Sequence, residues 1–226
     1  MIKNISNLGD SALYCDFGKE VNKEINSNVI NYFKNIKDRK INGITNLTPS
    51  YNKLIITFDL SLTNFDKLKE EIKNIKLKTF DTDKNKTIKI PICCEKEFAL
   101  DIERLESKLK HPIEKIQEIF FQKEYYCYMT GFIAGMPFLG DIDKKLQIKR
   151  LETPRVRVPK GSVGITEQFC NIYTFESPGG WNVVGNTPVN IFDKLNVSNP
   201  ALIRPGDTVS FYKINREEYD SWNEKK

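Results

Sequence analysis

The spacing of apolar positions changes partway along the chain. Over residues 12–17 apolar and polar side chains alternate around Leu13, Cys15 and Phe17, which predicts a strand. A helix comes next over 21–36, where Ile25, Val29, Tyr32, Phe33 and Ile36 recur at helical spacing. A strand over 54–58 and a helix over 64–75 repeat that order, with Thr63 or Asn64 placed to cap the helix ahead of Phe65 and Leu68. Residues 45–51, with Pro49 and Tyr51, read as a loop or turn leading into the second strand. The first part of the chain is thus a small α/β unit, and the polar, aperiodic stretch 76–86 is its expected linker to the remainder.

From Lys89 onward short strands and turns dominate. Two helices come first, over 99–110 and 112–122; the second carries Ile113, Ile116, Ile119 and Phe120 at helical spacing and has Pro112 as its first residue. Strands are predicted over 125–129, 163–165, 171–175, 181–185, 189–192 and 208–214. Between them lie a Gly/Pro loop over 131–140 and the turn Arg204-Pro205-Gly206-Asp207. Many short strands at regular spacing suggest a closed β-barrel.

At 226 residues with 39% hydrophobic content, the chain can build one large core or two small ones. Its 35 basic and 30 acidic residues leave a net charge of +5 spread over turns and helix faces, which argues against nucleic acid as a partner. No segment approaches the roughly 18 apolar residues of a membrane span, and no long apolar run lies behind the N-terminus, so a cytoplasmic protein is expected. Five cysteines without metal-ligand spacing fit a reducing compartment. Cys15, Cys127 and Cys170 read as half-buried strand residues, and the adjacent Cys93 and Cys94 point to opposite faces. With His111 as the lone histidine, placed as a cap or flanking residue at a helix start, neither a metal site nor a Ser-His-Asp triad is expected.

The candidate chemistry lies in two segments, Arg155-Val156-Arg157-Val158-Pro159-Lys160-Gly161-Ser162 and Ser177-Pro178-Gly179-Gly180-Trp181. Arg155 and Arg157 alternate on an extended stretch and so share a face, where paired guanidinium groups can hold a carboxylate or phosphate. Ser162, Thr166, Gln168 and Ser177 offer neutral hydrogen bonds, the Gly179-Gly180 backbone offers N–H groups as a nest, and Trp181 offers a wall. Plainer readings stand beside these. The arginines can pair with Glu152 or Glu176, Trp181 can be core, and Ser177-Pro178-Gly179-Gly180 can be a tight turn.

Several ordered motifs also carry a resemblance. They are Gly9-Asp10-Ser11-Ala12-Leu13, Pro49-Ser50-Tyr51, Ile90-Pro91-Ile92, Phe98-Ala99-Leu100-Asp101, and the run from Gly131 to Gly140. The run from Thr153 to Ile165, Ser177 to Trp181, Gly185-Asn186-Thr187-Pro188 and Arg204 to Asp207 complete the series. Together they resemble the family of the bacterial 5-oxoprolinase B subunit, which includes the KipI-type kinase inhibitors and the first subunit of allophanate-hydrolase and urea-carboxylase-type carboxyltransferases. The resemblance covers essentially the whole chain. It implies an α+β protein with a ferredoxin-like domain over 1–83 and a cyclophilin-like β-barrel over 84–226.

The function it implies is that of a non-autonomous subunit, which works only with a homologous C subunit and a separate A subunit. Together they open 5-oxoproline to L-glutamate with ATP hydrolysis, ATP being bound by the assembly. An inhibitor docking on a sensor histidine kinase and a carboxyltransferase component are the alternatives the same family offers. Phe120-Phe121-Gln122 stands where many members carry a histidine, and Asn186 where they carry an arginine. Ala134 replaces a usual proline, and Gln168-Phe169-Cys170-Asn171 replaces a Gly-Gln-Thr-Gly run.

Overall fold

The structure is a computed structural model that describes residues 1–78 and 87–222. The chain divides into two compact units, Met1–Lys84 and Asn85–Lys226. The expected linker falls mostly, and the expected domain boundary wholly, outside the described residues.

The first unit runs β1 (Asn4–Asn7), β2 (Ala12–Asp16), α1 (Lys23–Arg39), β3 (Ile44–Pro49), β4 (Lys53–Phe58) and α2 (Phe65–Lys73). Its sheet has the order β1-β2-β4-β3 and is antiparallel throughout. This is a ferredoxin-like arrangement in which β1 supplies the edge strand beside β2. Leu13, Cys15, Leu54 and Ile56 meet Val29, Ile36, Leu68 and Ile72 of the two helices in one core. Both helices start at asparagines, as capping requires: Asn22 Oδ1 accepts the Ile25 N–H at 2.9 Å, and Asn64 Oδ1 accepts the Lys67 N–H at 3.0 Å. The loop predicted over 45–51 is instead mostly strand β3. Its side chains are half-buried or exposed and it pairs only with β4, so its sequence shows the polar character of an edge strand, with Pro49 tolerated at its end.

The second unit begins with β5 (Thr87–Cys93), α3 (Ile102–Leu109), α4 (Ile113–Phe121), β6 (Glu124–Thr130) and β7 (Pro137–Gly140). It continues with β8 (Arg155–Val158), β9 (Ser162–Thr166), β10 (Phe169–Ile172), β11 (Ser177–Gly179), β12 (Asn182–Asn186), β13 (Thr208–Ile214) and α5 (Arg216–Asp220). Seven strands close into a barrel in the order β10-β7-β6-β13-β5-β12-β9, while β8 and β11 pair only with each other. Closure leaves the barrel no free edge.

Inward residues Ile90, Ile92, Val163, Ile165, Cys170, Ile172, Val209 and Phe211 fill the barrel core. Helix α4 seals it, with Phe120 stacked on Phe211 at 5.1 Å. Phe120, where the resemblance led a histidine to be expected, is therefore core packing here. Four residues form a second, smaller core with Ile133 and Phe138 packed against it: Met136, Val158, Tyr173 and Val183.

Three local expectations give way. The 131–140 loop contains β7, which pairs with β6 and β10. Residues 189–192 form no strand, only a single bridge between Phe192 and Ala201. Pro112 caps α4 from outside, because its ψ of 156° is extended. Among the described residues no helix is long and apolar enough to cross a membrane.

Candidate functional site

The β8–β11 ribbon sets the geometry of the arginines. Ser177 lies opposite Val158 and Gly179 opposite Arg155, so β11 advances two residues while β8 advances three. That extra residue is a bulge, and it breaks the alternation on which a shared arginine face depends. Arg155 turns inward, 28% exposed, with Nη2 at 2.5 Å from Asp101 Oδ1. Arg157 turns out to solvent, 80% exposed, against Glu176 at 3.6 Å. The pair expected on one face is split between two environments.

Asp101 is not legible in the sequence as a site residue. It stands at the start of α3, where an aspartate reads as a cap, yet its side chain makes no cap bond. Oδ2 instead accepts the Val183 N–H at 2.7 Å, and Oδ1 takes Arg155. One buried carboxylate thus ties α3, barrel strand β12 and the ribbon together.

Around this pair the outer barrel wall is aromatic and closely packed. Val163 and Ile165 of β9 point into the barrel, so the intervening Gly164 faces outward. A Cβ on Gly164 would sit 2.8 Å from Asn171 Oδ1 and 2.9 Å from Trp181 Cβ. A Cβ on Gly179 would overlap the Tyr173 hydroxyl oxygen. Trp181 is half-buried and packs edge-on against Phe138 at 5.6 Å, on the outer side of the small core. Burial raises the Tyr173 phenol above its usual value, opposed by the neighbouring Asn171 side chain and a backbone contact at Trp181.

The nest reading does not survive. Neither Gly179 nor Gly180 has positive φ, which a nest of successive N–H groups needs. Gly179 is strand, and the Gly180 carbonyl accepts the Leu151 N–H at 2.7 Å. Gly179 serves close approach to Tyr173, whereas a Cβ on Gly180 would meet only ordinary contacts, the nearest being the Leu151 carbonyl oxygen at 3.5 Å.

The remaining predicted residues separate. Ser162 is buried opposite Asn186 across β9 and β12. Asn186 is fully engaged: Nδ2 donates to the Lys160 carbonyl at 2.9 Å, and Oδ1 accepts the Tyr219 hydroxyl at 2.8 Å. Beside them lies a cleft of about 450 Å³ lined by Lys160, Gly161, Thr187, Pro188, Asn190 and Tyr219, among others. Thr166 and Gln168 sit at the far end of β9 from Ser162. Thr166 Oγ1 donates to the Ile148 carbonyl at 3.2 Å, a structural role, and the Gln168 backbone carbonyl accepts the Ile142 N–H.

Thus Arg155, Ser177, Gly179 and Trp181 come together around Tyr173, whose N–H also donates to the Ser162 carbonyl at 2.9 Å, while the Ser162 side chain meets Asn186 and Thr166, Gln168 and Arg157 lie elsewhere. Burial pushes the Cys127 and Cys170 thiols well up, which removes them as nucleophiles. No group of three His, Cys, Asp or Glu side chains suited to a metal occurs among the described residues.

The chain belongs to the family of the carboxyltransferase domain, subdomain C and D, which it matches over residues 3–203. It is 30% identical over 233 residues to the 5-oxoprolinase B subunit of Bacillus subtilis, covering 97% of this chain and 96% of that one. It is 25% identical to the urea amidolyase of Saccharomyces cerevisiae, across 96% of this chain but 13% of that protein. Among solved structures, that of TTHA0988 superposes with a TM-score of 0.82 at 26% identity, over 91% of this chain. This chain spans 40% of the TTHA0988 chain.

Proposed function

We propose that this chain is the B-type subunit of an ATP-dependent 5-oxoprolinase, working with a homologous C subunit and a separate A subunit in the cytoplasm. The observation that carries the reading is the end-to-end match to a 5-oxoprolinase B subunit, 97% of one chain against 96% of the other. The site chemistry is compatible with it. 5-Oxoproline presents a carboxylate and a lactam carbonyl, both acceptors, and Arg155 is a guanidinium with one arm engaged by Asp101. One water opens the ring to glutamate and a second accounts for ATP hydrolysis. ATP belongs to the assembly and is given no residue of this chain.

The test is co-expression with the partner C and A subunits and an assay for ATP-dependent glutamate release from 5-oxoproline. A folded, assembled complex without that activity contradicts the proposal. A carboxyltransferase component is the second reading, favoured by the family match and by the urea amidolyase alignment along 96% of this chain. Carboxyl transfer to urea by a complex inert toward 5-oxoproline would establish it instead.

A further inference from the structure

Three polar side-chain atoms, two on the β8–β11 ribbon and one on barrel strand β10, are buried without a protein hydrogen-bond partner: Arg155 Nη1, Ser177 Oγ and Asn171 Nδ2. Each can donate. Asn171 is fully buried and Ser177 is 9% exposed, so bulk water does not serve them. Buried donors without acceptors destabilise a fold, and three in one region point to an acceptor that belongs there.

Their placement is shared. Asn171 spends its oxygen on the Gly164 N–H at 3.2 Å, and its amide nitrogen lies near the Tyr173 hydroxyl, close enough to hold that phenol down but without a well-formed hydrogen bond. Gly164 pairs with Val183, and Val183 is the residue whose N–H fixes Asp101. Asp101 holds only Nη2 of Arg155, so Nη1 is left for a second acceptor. Ser177 faces the same small core, because its cross-strand partner Val158 packs there with Tyr173 and Val183. Trp181 and Phe138 supply apolar sides.

We infer that Arg155, Asn171 and Ser177 form a binding site for the carboxylate of a small acid, between the barrel wall and the β8–β11 ribbon, with Asp101 positioning Arg155. A carboxylate accepts from several donors at once and carries the charge that a guanidinium favours. The ribbon must shift to admit the acid, since the donors are covered. It is a short, bulged strand pair that forms no ladder with the barrel strands. The identity of the acid as 5-oxoproline rests on the proposed function; the site does not.

The full chain and the assembled complex are titrated with L-5-oxoproline, 2-pyrrolidinone (the same ring without the carboxylate), succinate and glutarate. Tryptophan fluorescence and Tm are read. 5-Oxoproline is expected to bind and 2-pyrrolidinone to fail. Asn171→Asp keeps the acceptor for Gly164 but replaces the free donor by a negative oxygen, and is expected to weaken binding about tenfold or more. Ser177→Ala is expected to weaken binding severalfold while raising the ligand-free Tm, since it removes a buried hydroxyl without a partner.

Asp101→Asn is expected to raise KM about tenfold with kcat held, a split that a merely structural role would not produce. Binding of succinate or glutarate but not 5-oxoproline, with the same variant sensitivities, supports the site and counts against the 5-oxoprolinase reading. The inference is overturned if no carboxylate binds to chain or complex. It is also overturned if a high-resolution crystal structure shows ordered water on all three donors, undisturbed by 5-oxoproline.

Discussion

Arg155 and Asp101, 54 residues apart in sequence, meet at 2.5 Å on the outer wall of the barrel. The second oxygen of Asp101 takes the Val183 N–H, so the pair is both an anchor for the ribbon and a fixed mount for the guanidinium. Removing the carboxylate leaves Arg155 without its counter-charge and Val183 without an acceptor. Asp101→Ala is expected to destabilise the barrel unit by roughly 3 kcal/mol, the low end for a broken buried pair because Arg155 retains some exposure. Arg157→Ala, which breaks an exposed pair with Glu176, is expected to change stability by less than about 1 kcal/mol. Urea unfolding of both variants checks the contrast; equal losses would mean that the two arginines are not on different sides.

The two glycines before Trp181 are expected to differ. A methyl group at Gly179 would overlap the Tyr173 hydroxyl, whereas at Gly180 its nearest neighbour is the Leu151 carbonyl oxygen at 3.5 Å. Gly179→Ala should therefore lower stability by about 1–3 kcal/mol, as overpacking does, and Gly180→Ala by much less. Tyr173→Phe in the Gly179→Ala background should recover part of the loss, because it removes the overlapped atom. Thermal melts of the three proteins decide it.

Much of this architecture is written in local patterns. The helices around Val29 and Leu68 and the strands around Leu54 and Val163 follow from apolar spacing, since each buries one face in a core. The edge strand β3 does not, because half its surface meets solvent and its pairing comes from β4 alone. Arg155 and Ser177 stand out as polar residues in a Gly/Pro-rich context, but Asp101 and Asn171 do not. The role of Asp101 depends on Val183, 82 residues away, and that of Asn171 on the register of the β9–β10 hairpin, which sets it opposite Gly164. The shared arginine face fails for a similar reason: strand alternation is a rule for regular strands, and one bulge residue cancels it.

Asn186 is locked into the barrel end. Its contacts with Lys160 and Tyr219 join β12 to the segment before β9 and to α5. Asn186→Arg is expected to lower Tm instead of adding an anion site, since the position is only 4% exposed and packed so tightly that a Cβ on Gly161 would already overlap Asn186 Oδ1. A raised Tm with new phosphate binding would contradict this.

Alkaline pH should weaken both units. Burial pushes Cys15 and Cys94 from 9.0 up to about 12, and raises Cys127 and Cys170 as well. Between 9.0 and about 12 the unfolded thiols have lost protons that the folded ones keep, so the folded state binds more protons and stability falls as pH rises. Each such thiol contributes a slope of up to about 1.4 kcal/mol per pH unit. The barrel unit holds Cys94, Cys127 and Cys170, with Cys93 also raised, against Cys15 alone in the first unit, so its denaturant midpoint should fall more steeply above pH 9. Urea melts between about pH 7 and 10.5, with a Cys→Ala or Cys→Val series as control, measure the slopes.

The most direct measurement is glutamate release from 5-oxoproline by the reconstituted complex carrying wild-type chain, Arg155→Gln or Arg157→Gln, normalised to assembled complex. The expected result is ATP-dependent turnover by the wild type, a loss of about 10- to 100-fold in kcat/KM for Arg155→Gln, and near-normal turnover for Arg157→Gln. An assembled wild-type complex without turnover, or two arginine variants that behave alike, would contradict it.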